Sequence, residues 1–237
     1  MGKLLIIIPT YNESQNILLF LEKLYESCKD LDFSVLVVDD NSPDGTAIIV
    51  KNWMNDHSNC HLLNREKKEG LGKAYIAGFK WGLNKDFDYF CQIDADFSHD
   101  PIYIPSFLEK TNDFDFIIGS RYVTGGGVKG WGLLRRIISR GGSLYSKIIL
   151  NSKINDFTGG FNLWNRNVLE SINLDSLFSS GYSFQIEMKY RATKKGFKFY
   201  EFPIIFTDRV KGNSKMSKSI VFEAMLNVLK LRFKKIF

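Results

Sequence analysis

The sequence predicts an α/β fold in which a mostly parallel sheet carries helices on both faces. In the first 120 residues, short apolar runs alternate with segments whose apolar residues recur at helical spacing. The apolar runs are continuous rather than interrupted by polar residues, which is typical of strands buried on both faces. Strands and helices in regular alternation favour parallel strand pairing.

Each element of the first half has its own signal. Residues 4–8 are apolar up to Pro9, which predicts the first strand, and residues 14–28 repeat apolar side chains at helical spacing. A second buried run at residues 34–38 ends abruptly at Asp39. On the same grounds we predict helices at residues 46–54, 72–83 and 104–110, and strands at residues 61–63, 89–93 and 116–118.

The second half of the chain is less regular. Five glycines between residues 125 and 132 predict a flexible loop. Beyond this loop, helical spacing predicts helices at residues 135–150 and 184–193. Apolar residues on either side of Pro203 predict strands at residues 198–202 and 204–206, and the last segment of the chain is predicted to be helical.

Length and composition limit the class of protein. The chain has 237 residues, of which 44% are hydrophobic, as expected of a globular protein with a buried core. Residues 4–8 are too short a run for a signal peptide, and no run reaches the about 18 apolar residues that a bilayer-spanning helix needs. Cys28, Cys60 and Cys91 lack metal or redox spacing and are expected to be buried thiols in a reducing compartment.

The net charge of +6 conceals an asymmetry between the two halves of the chain. Residues 1–120 contain eleven Lys or Arg and nineteen Asp or Glu, whereas residues 121–237 contain twenty-one and seven. Such a basic half favours an anionic partner, which can be a phosphate group, a nucleic acid or an acidic membrane surface. The acid-rich strand ends of the first half argue against a nucleic-acid-binding module, so no nucleic-acid partner is expected.

Acidic residues follow two predicted strands at the point where each strand ends, and ligands of open α/β sheets bind at that edge. Asp94 and Asp96 follow the fourth strand, where two carboxylates can converge on one divalent cation. A diphosphate leaving group needs such a cation to neutralise its charge. Asp39 and Asp40 follow the second strand and can accept hydrogen bonds from a nucleobase or a ribose. A turn or a helix cap is the alternative role for both pairs, because turn formers surround them.

Basic residues of the second half also fall at strand ends. Arg121 follows the strand at residues 116–118 and Arg209 follows the strand at residues 204–206, so both are predicted to face the same cleft. The arginine fork suits phosphate oxygens, although pairing with surface acids is the alternative role. His99 adjoins the acidic motif, and a ligand contact is left open for it. The other basic residues near these motifs are Arg135, Arg136, Arg140, Lys211 and Lys215.

Seven sequence motifs carry further information. Two opening motifs, PTYNE at residues 9–13 and VDDNSPDGT at residues 38–46, are shared with many sugar transferases. The more specific motifs are DADFSHDP at 94–101, GSRY at 119–122, RRIISRG at 135–141, GYSFQIE at 181–187 and DRVKGNSKM at 208–216. Together they resemble the polyprenyl-phosphate (dolichol-phosphate) mannose synthases of glycosyltransferase family 2, from about residue 3 to residue 217.

The resemblance implies a metal-dependent enzyme with a GT-A (Rossmann-like) fold, GDP-mannose as donor, a polyprenyl phosphate as acceptor, and Mg²⁺ or Mn²⁺ as cofactor. The catalytic residues that it implies are Asp94, Asp96, Arg121, Arg135 and Arg209. The nucleotide-binding residues are Pro9, Tyr11, Glu13, Asp39, Asp40 and Asp94. The residues for the acceptor and its phosphate are Arg121, Arg135, Ser139, Arg209 and Lys211. The metal ligands are Asp94, Asp96 and Ser98.

The chemistry of the acceptor defines the expected mechanism. A lipid phosphate has a second pKa of about 6, so it is largely dianionic at neutral pH and needs no general base. We therefore expect an inverting transfer that yields a β-linked lipid mannoside, driven by charge neutralisation and alignment. The alternative is a family 2 transferase that uses a UDP-sugar such as UDP-glucose with a lipid phosphate or another acceptor. A sugar-nucleotide pyrophosphorylase is disfavoured, because residues 9–13 are not a glycine-rich loop.

The C-terminal residues 218–237 are predicted to form an amphipathic helix that follows a catalytic domain of residues 1–217. Polar residues occupy one narrow stripe, apolar residues cover most of the rest, and basic residues gather at the end. This pattern, with the helix at residues 135–150, favours binding at an anionic membrane surface. Packing on the protein's own core and docking on a small membrane-anchoring subunit are the alternatives. The expected localisation is cytoplasmic, peripheral on the cytosolic face of a membrane.

Overall fold

A computed structural model describes residues 2–179, 181–208 and 218–233 of the chain. Its first half alternates strand and helix as predicted, and a 3₁₀ turn at Pro101–Tyr103 precedes the fourth helix. The elements are β1 Leu4–Thr10, α1 Ile17–Cys28, β2 Phe33–Asp39, α2 Thr46–Met54, β3 Cys60–Asn64, α3 Leu71–Leu83, β4 Tyr89–Gln92, α4 Ile104–Lys110 and β5 Phe116–Ser120.

The second half contributes four strands and four helices among the described residues. They are β6 Gly127–Lys129, α5 Leu133–Ile149, β7 Asn162–Asn165, α6 Arg166–Ser171, α7 Gly181–Lys194, β8 Phe199–Pro203, β9 Ile205–Thr207 and α8 Lys218–Phe233. A second 3₁₀ turn lies at Leu174–Ser176. The sequence did not indicate β6, β7 or α6, and part of the predicted glycine loop is strand, because β6 pairs in parallel with β9.

The main sheet has seven strands in the order β3-β2-β1-β4-β7-β5-β8. All pairs are parallel except those of β7, which runs antiparallel to both of its neighbours, β4 and β5. The predicted mostly parallel sheet is therefore confirmed, with one reversed strand inserted between β4 and β5. Because β7 is four residues long and begins and ends with asparagine, it carries no apolar run that would mark it as a strand.

Two hydrophobic clusters lie on opposite faces of the sheet, which explains the continuous apolar runs. In β1, Leu5 and Ile7 join one cluster, whereas the alternating neighbours Leu4, Ile6 and Ile8 join the other. Helix α3 packs with the first cluster and helix α1 with the second. Helices therefore cover both faces, as predicted. The three cysteines are buried free thiols, also as predicted.

Helix α5 has the reverse of the polarity expected for a helix that packs on a core. Its buried residues are three serines, Ser139, Ser143 and Ser146. Its large apolar side chains face outward, with Leu133 75% exposed and Leu134 71% exposed. Ile137, Leu144 and Ile148 are more than half exposed on the same helix. Contiguous exposed apolar surface of this kind marks an interaction site.

Helix α8 packs against α5 and α7, and its Val228 and Leu231 belong to the same core cluster as α3. The alternative of packing on the protein's own core is thus confirmed for these two residues. Other apolar residues of α8, including Phe222 and Phe233, remain exposed. None of the helices in the described part of the chain is both long and apolar enough to cross a membrane.

Candidate functional site

A cleft of about 490 Å³ opens at the carboxyl ends of β1, β2 and β4 and extends to α5, α7 and α8. This is the edge of the sheet at which the sequence places its polar clusters. The predicted site residues that line the cleft are Pro9, Tyr11, Glu13, Asp40, Asp94, Asp96, Ser98, Arg121, Arg135 and Ser139. Residues up to 130 positions apart in the sequence are thereby brought to one surface.

Asp39 is the exception among the predicted site residues that the structure describes. It is 1% exposed and lies behind the cleft wall. Its carboxylate accepts hydrogen bonds from the Thr10 hydroxyl and from the backbone and side chain of Ser42. These contacts match the alternative role in a turn, and nucleotide binding by Asp39 stays a prediction. Arg209, Lys211 and Lys215 lie outside the described residues.

The loops that follow β1, β2 and β4 each contain one non-glycine residue in the left-handed backbone conformation. Asn12 has φ 61°, Asn41 has φ 57° and Phe97 has φ 60°. Asparagine tolerates this region, but a bulky residue such as phenylalanine is strained there. The Phe97 ring is held by an edge contact with Phe20, whose centroid is 5.5 Å away. Strain of this kind is characteristic of functional loops, and here it shapes the acidic motif.

The two carboxylates of the acidic motif are held by different partners. The Tyr75 hydroxyl donates a 2.9 Å hydrogen bond to Oδ1 of Asp94. Burial raises the pKa of Tyr75 well above its usual value and the charge of Asp94 raises it further, so the phenol stays a donor. The backbone nitrogen of Ser98 donates to Oδ1 of Asp96 at 3.0 Å. These bonds orient both carboxylates at the cleft.

The acidic motif fits a divalent cation that also binds a diphosphate. Among the described residues there is no group of three or more His, Cys, Asp or Glu that forms a complete metal site. Asp94 and Asp96 offer hard oxygen ligands, and the Ser98 hydroxyl lies on the same loop. Mg²⁺ and similar ions are commonly held by one or two carboxylates, with substrate phosphates and water as the remaining ligands. The donor set therefore suits Mg²⁺ or Mn²⁺ with a bound nucleotide.

The end of the cleft near β1 and β2 combines aromatic and charged groups. The Lys68 ammonium lies 3.7 Å from the centroid of the Tyr11 ring, a cation–π contact. Asp40 accepts from the Arg65 guanidinium and from the backbone nitrogen of Glu69. Lys68 was not predicted from the sequence, because nothing in its basic neighbourhood relates it to Tyr11.

Arg121 forms the most deeply buried ion pair at the cleft. Its Nε and one terminal nitrogen donate to the two carboxylate oxygens of Asp156, each at 2.7 Å, and its backbone nitrogen donates to the same carboxylate. It also donates to the Thr158 hydroxyl at 2.8 Å. Burial by itself would raise the pKa of Asp156, but the charge and hydrogen bonds of Arg121 outweigh burial and hold that pKa at about 2.

Lys189 of α7 is fully buried beneath this ion pair. Its ammonium donates to the backbone carbonyl oxygens of Asp156, Phe157 and Gly159 at 2.8–3.2 Å. Burial lowers the pKa of Lys189 to about 8, and the charge of Asp156 partly offsets that effect. Lys189 thus holds the loop that positions Arg121. The sequence gave no signal for this role, since Lys189 lies 68 positions beyond Arg121.

Arg135 and Ser139 place polar groups of α5 on the cleft. Arg135 donates to Oδ1 of Asp208 at 2.7 Å, and its guanidinium lies 4.2 Å from the Trp131 ring centroid. The Ser139 hydroxyl accepts a hydrogen bond from the Tyr122 hydroxyl at 2.7 Å. One face of α5 therefore lines the cleft while its apolar face is exposed.

His99 is 3% exposed and lies between the rings of Phe161 and Phe206, with centroids 5.4 and 5.0 Å away. Burial lowers its pKa to about 4, although the charge of Asp96 opposes the shift, so the imidazole is neutral at physiological pH. Its Nδ1 has no hydrogen-bond partner among the residues that the structure describes. The placement on the cleft wall is consistent with a ligand contact.

An α/β sheet with an acidic motif and arginines converging at its carboxyl edge is the arrangement of a nucleotide-sugar transferase, and comparisons with known proteins agree. The profile of glycosyl transferase family 2 matches residues 5–172. The chain belongs to this family.

Curated relatives indicate which members of glycosyl transferase family 2 the chain is similar to. The chain is 43% identical over 226 residues to undecaprenyl-phosphate mannosyltransferase of Micrococcus luteus, covering 95% of this chain and 92% of the relative. It is 42% identical over 226 residues to polyprenol monophosphomannose synthase of Mycolicibacterium smegmatis, covering 94% and 84%. The predicted resemblance to polyprenyl-phosphate mannose synthases is thereby confirmed.

Solved structures confirm the GT-A-like fold. Glucosyl-3-phosphoglycerate synthase from Mycobacterium tuberculosis, in complex with Mn²⁺ and UDP-glucose, superposes with a TM-score of 0.69 at 16% identity, covering 97% of this chain and 79% of the other. The complex of that enzyme with Mn²⁺, UDP and phosphoglyceric acid has a TM-score of 0.70 at 15% identity, covering 98% and 79%. At these identities the likeness concerns the fold alone.

Proposed function

We propose that this chain transfers mannose from GDP-mannose to a polyprenyl phosphate, with inversion at the anomeric carbon. The observation that carries the proposal is the shape of the cleft. It extends from the acidic motif of Asp94 and Asp96 to α5, a helix that lines the cleft with Arg135 and exposes apolar side chains on its other face. Such a cleft suits a nucleotide diphosphate at one end and an amphiphile with a phosphate head at the other.

The two curated relatives support this choice of substrates, since the name of each includes a polyprenyl chain, a phosphate and mannose. GDP as the nucleotide is our proposal from the sequence motifs. The division into a catalytic domain of residues 1–217 and an amphipathic helix at residues 218–237 is likewise a proposal, because its boundary adjoins residues 209–217, which lie outside the described part of the chain.

The side chains of the cleft supply what the reaction requires. A dianionic acceptor phosphate needs no base, but bringing it close to a diphosphate needs positive charge and alignment. Arg121, held in place by Asp156, and Arg135, stacked near Trp131, are proposed to provide both. A divalent cation held by Asp94, Asp96 and Ser98 would neutralise the charge of the departing diphosphate. Arg209 and Lys211 are proposed to act with them.

The direct test is a transfer assay. The purified chain is incubated with radiolabelled GDP-mannose, Mg²⁺ or Mn²⁺, and a set of polyprenyl phosphates, and the lipids are extracted. We expect label in the lipid phase, as a β-linked product. Parallel reactions with labelled UDP-glucose test the alternative donor. If label enters the lipid only from UDP-glucose, UDP-glucose replaces GDP-mannose as the proposed donor. If no nucleotide sugar gives a labelled lipid, the proposed function itself is contradicted.

Replacement of Arg135 by alanine is expected to raise the KM for the lipid phosphate about tenfold or more, with a smaller effect on the KM for GDP-mannose. Lysine should restore acceptor binding only in part, since a point charge cannot reproduce the fork or the stacking on Trp131. Steady-state kinetics with each substrate varied in turn provide the measurement. An equal rise in both KM values would assign Arg135 to the shared transition state or to the fold.

Membrane association is a second part of the proposal. We infer that the exposed apolar faces of α5 and α8 rest on the anionic, cytosolic surface of a membrane, where the acceptor phosphate is accessible. Arg136 and Arg140 of α5 lie beside these faces and would attract acidic lipids. A small membrane-anchoring subunit is the alternative partner that would cover these apolar faces.

The double substitution Leu134→Glu with Ile137→Glu is expected to lower binding to anionic liposomes at least about tenfold, because it puts two carboxylates on the apolar face of α5. Affinity for GDP-mannose should stay unchanged. The measurement is co-sedimentation with vesicles of phosphatidylserine and phosphatidylcholine. Ile48→Glu is the matched control, since Ile48 is 64% exposed on α2. Undiminished vesicle binding by the double variant would place the membrane contact elsewhere.

A further inference from the structure

A buried amide group on the cleft wall has unused hydrogen-bonding capacity. Gln185 of α7 lines the cleft and is 1% exposed. Its Nε2 has no hydrogen-bond partner among the described residues. Leaving a buried donor unsatisfied costs free energy, so such groups in folded proteins call for an explanation, and an absent ligand is one.

The orientation of this amide follows from a chain of hydrogen bonds that begins inside the sheet. The indole nitrogen of Trp164, which can only donate, contacts Oε1 of Gln92 at 2.7 Å. Nδ2 of Asn162 donates to the same oxygen at 3.3 Å and to Oε1 of Gln185 at 3.0 Å. Because the indole determines which atom of Gln92 is the acceptor, the orientations of Asn162 and Gln185 follow in turn. Since Oε1 of Gln185 faces Asn162, its amino group, a hydrogen-bond donor, points away from these hydrogen-bonded side chains.

The amino group of Gln185 adjoins a glycine that leaves space for a ligand. A Cβ built on Gly160 would lie 3.7 Å from Nε2 of Gln185, 3.8 Å from Oδ2 of Asp94 and 3.9 Å from Cε1 of His99. All four residues line the cleft. An atom of a ligand that stands over the bare face of Gly160 can therefore contact an amide donor, a carboxylate and an imidazole edge together.

The chemistry of these groups selects hydroxyls rather than phosphates. Gln185 carries no charge, so it offers a phosphate no ionic attraction. Phosphate oxygens are better served by the arginines elsewhere in the cleft. A hydroxyl both donates and accepts, so it can pair with the Gln185 amino group and with the carboxylate of Asp94. Nδ1 of His99, which has no hydrogen-bond partner among the described residues, offers a further polar contact. Asp94 also belongs to the proposed metal motif, which places this wall next to the diphosphate.

We propose that Gln185, His99 and the bare face of Gly160 form a subsite that binds ring hydroxyls of the transferred hexose and so determines which sugar the enzyme accepts. This inference deepens the proposed function and rests on it. Buried polar groups built to pair with a substrate hydroxyl discriminate strongly against analogues that lack it, because they are left unpaired.

The test uses two variants of the full chain and separates the sugar from the nucleotide. Gly160→Ala fills the space over the subsite with a methyl group at ordinary van der Waals distances, and Gln185→Met removes the amide at nearly constant length. We expect the KM for GDP-mannose to rise about tenfold or more in each, while the inhibition constant of GDP, which lacks the hexose, changes less than about twofold. Gly141→Ala is the matched control, because an added methyl group there meets nothing within 4 Å apart from its neighbours in the chain and the backbone of its own helix.

Donors that lack single hydroxyls provide a readout that a merely structural role would not change. Among GDP-mannose analogues that each lack one ring hydroxyl, at least one should have a kcat/KM about tenfold lower than that of GDP-mannose with the wild type. This ratio of kcat/KM values should be smaller in Gln185→Met. If Gln185→Met loses GDP affinity, Gly160→Ala decides the outcome. If the wild type transfers mannose and Gly160→Ala shows no rise in the KM for GDP-mannose relative to the inhibition constant of GDP, the subsite is wrong. The proposed function would still hold in that case. Absence of transfer from every nucleotide sugar would overturn both.

Discussion

Replacement of Asp96 by alanine is expected to lower the rate of mannose transfer by at least about a thousandfold, which corresponds to about 4 kcal/mol of transition-state stabilisation. Asp96 lines the cleft and lies two residues from Asp94, with which it is proposed to hold the cation. Without the cation, the negative charge that develops on the leaving diphosphate is not neutralised. The measurement is kcat with saturating Mn²⁺, together with the affinity for GDP in the presence and absence of Mn²⁺.

A second variant separates metal binding from the shape of the loop. Oδ1 of Asp96 also accepts from the backbone nitrogen of Ser98, and asparagine can retain that hydrogen bond while it loses the charge. Asp96→Asn should therefore be nearly as inactive as Asp96→Ala. Asp113→Ala, at an exposed position after α4, is the control that should keep wild-type kinetics. Full activity of Asp96→Asn, or of the wild type with excess chelator, would remove the metal from the mechanism.

Replacement of Asp156 by alanine is expected to lower the free energy of unfolding by about 3–5 kcal/mol, because it leaves the buried Arg121 without its carboxylate partner. The fully buried Lys189 would lose the nearest negative charge at the same time. Urea unfolding monitored by tryptophan fluorescence provides the measurement. Asp86→Ala is the control, since Asp86 pairs with Lys3 at the surface, and no resolvable change is expected.

The same pair predicts a pH dependence. The pKa of Asp156 is about 2 in the folded protein and about 3.9 in an unfolded chain, so unfolding favours proton uptake in this interval. The stabilisation is complete above about pH 4 and is lost as the pH falls toward 2. Asp156→Ala should lack this contribution to the acid slope. A loss below about 1 kcal/mol at pH 7 would mean that Arg121 is stabilised mainly by other contacts.

The sequence was sufficient for the fold class and for the acidic side of the site. Continuous apolar runs indicate strands buried on both faces, and β1 divides its side chains between two clusters as that pattern requires. Helices α2 and α4 have the predicted bounds. Asp94 and Asp96 line the cleft. Their position was predictable, because the end of a strand can be located from the sequence and ligands bind at that edge of the sheet.

Contacts between distant segments were not predictable in this way. Strand β7 is recognisable only through β4 and β5, which supply its hydrogen bonds from both sides. Asp156 looks like an ordinary loop residue until the fold brings Arg121, 35 positions away, against it. The sequence suggested phosphate binding for Arg121, and the structure adds a buried partner that holds the guanidinium in place.

Helix α5 shows which features the sequence predicts and which features only the tertiary structure reveals. Its amphipathic pattern was readable from the sequence, but an apolar stripe usually faces the core. The sequence favoured a membrane surface for this helix, but only the tertiary structure decided which of its side chains are exposed. Three serines face inward, Ile149 packs against the core, and the exposed side chains are Leu133, Leu134, Ile137, Leu144 and Ile148. Local periodicity thus determined which elements form, because it depends on adjacent residues. The pairing of Arg121 with Asp156, the orientation of Gln185 and the exposed face of α5 were decided by packing, because each depends on residues far apart in the chain.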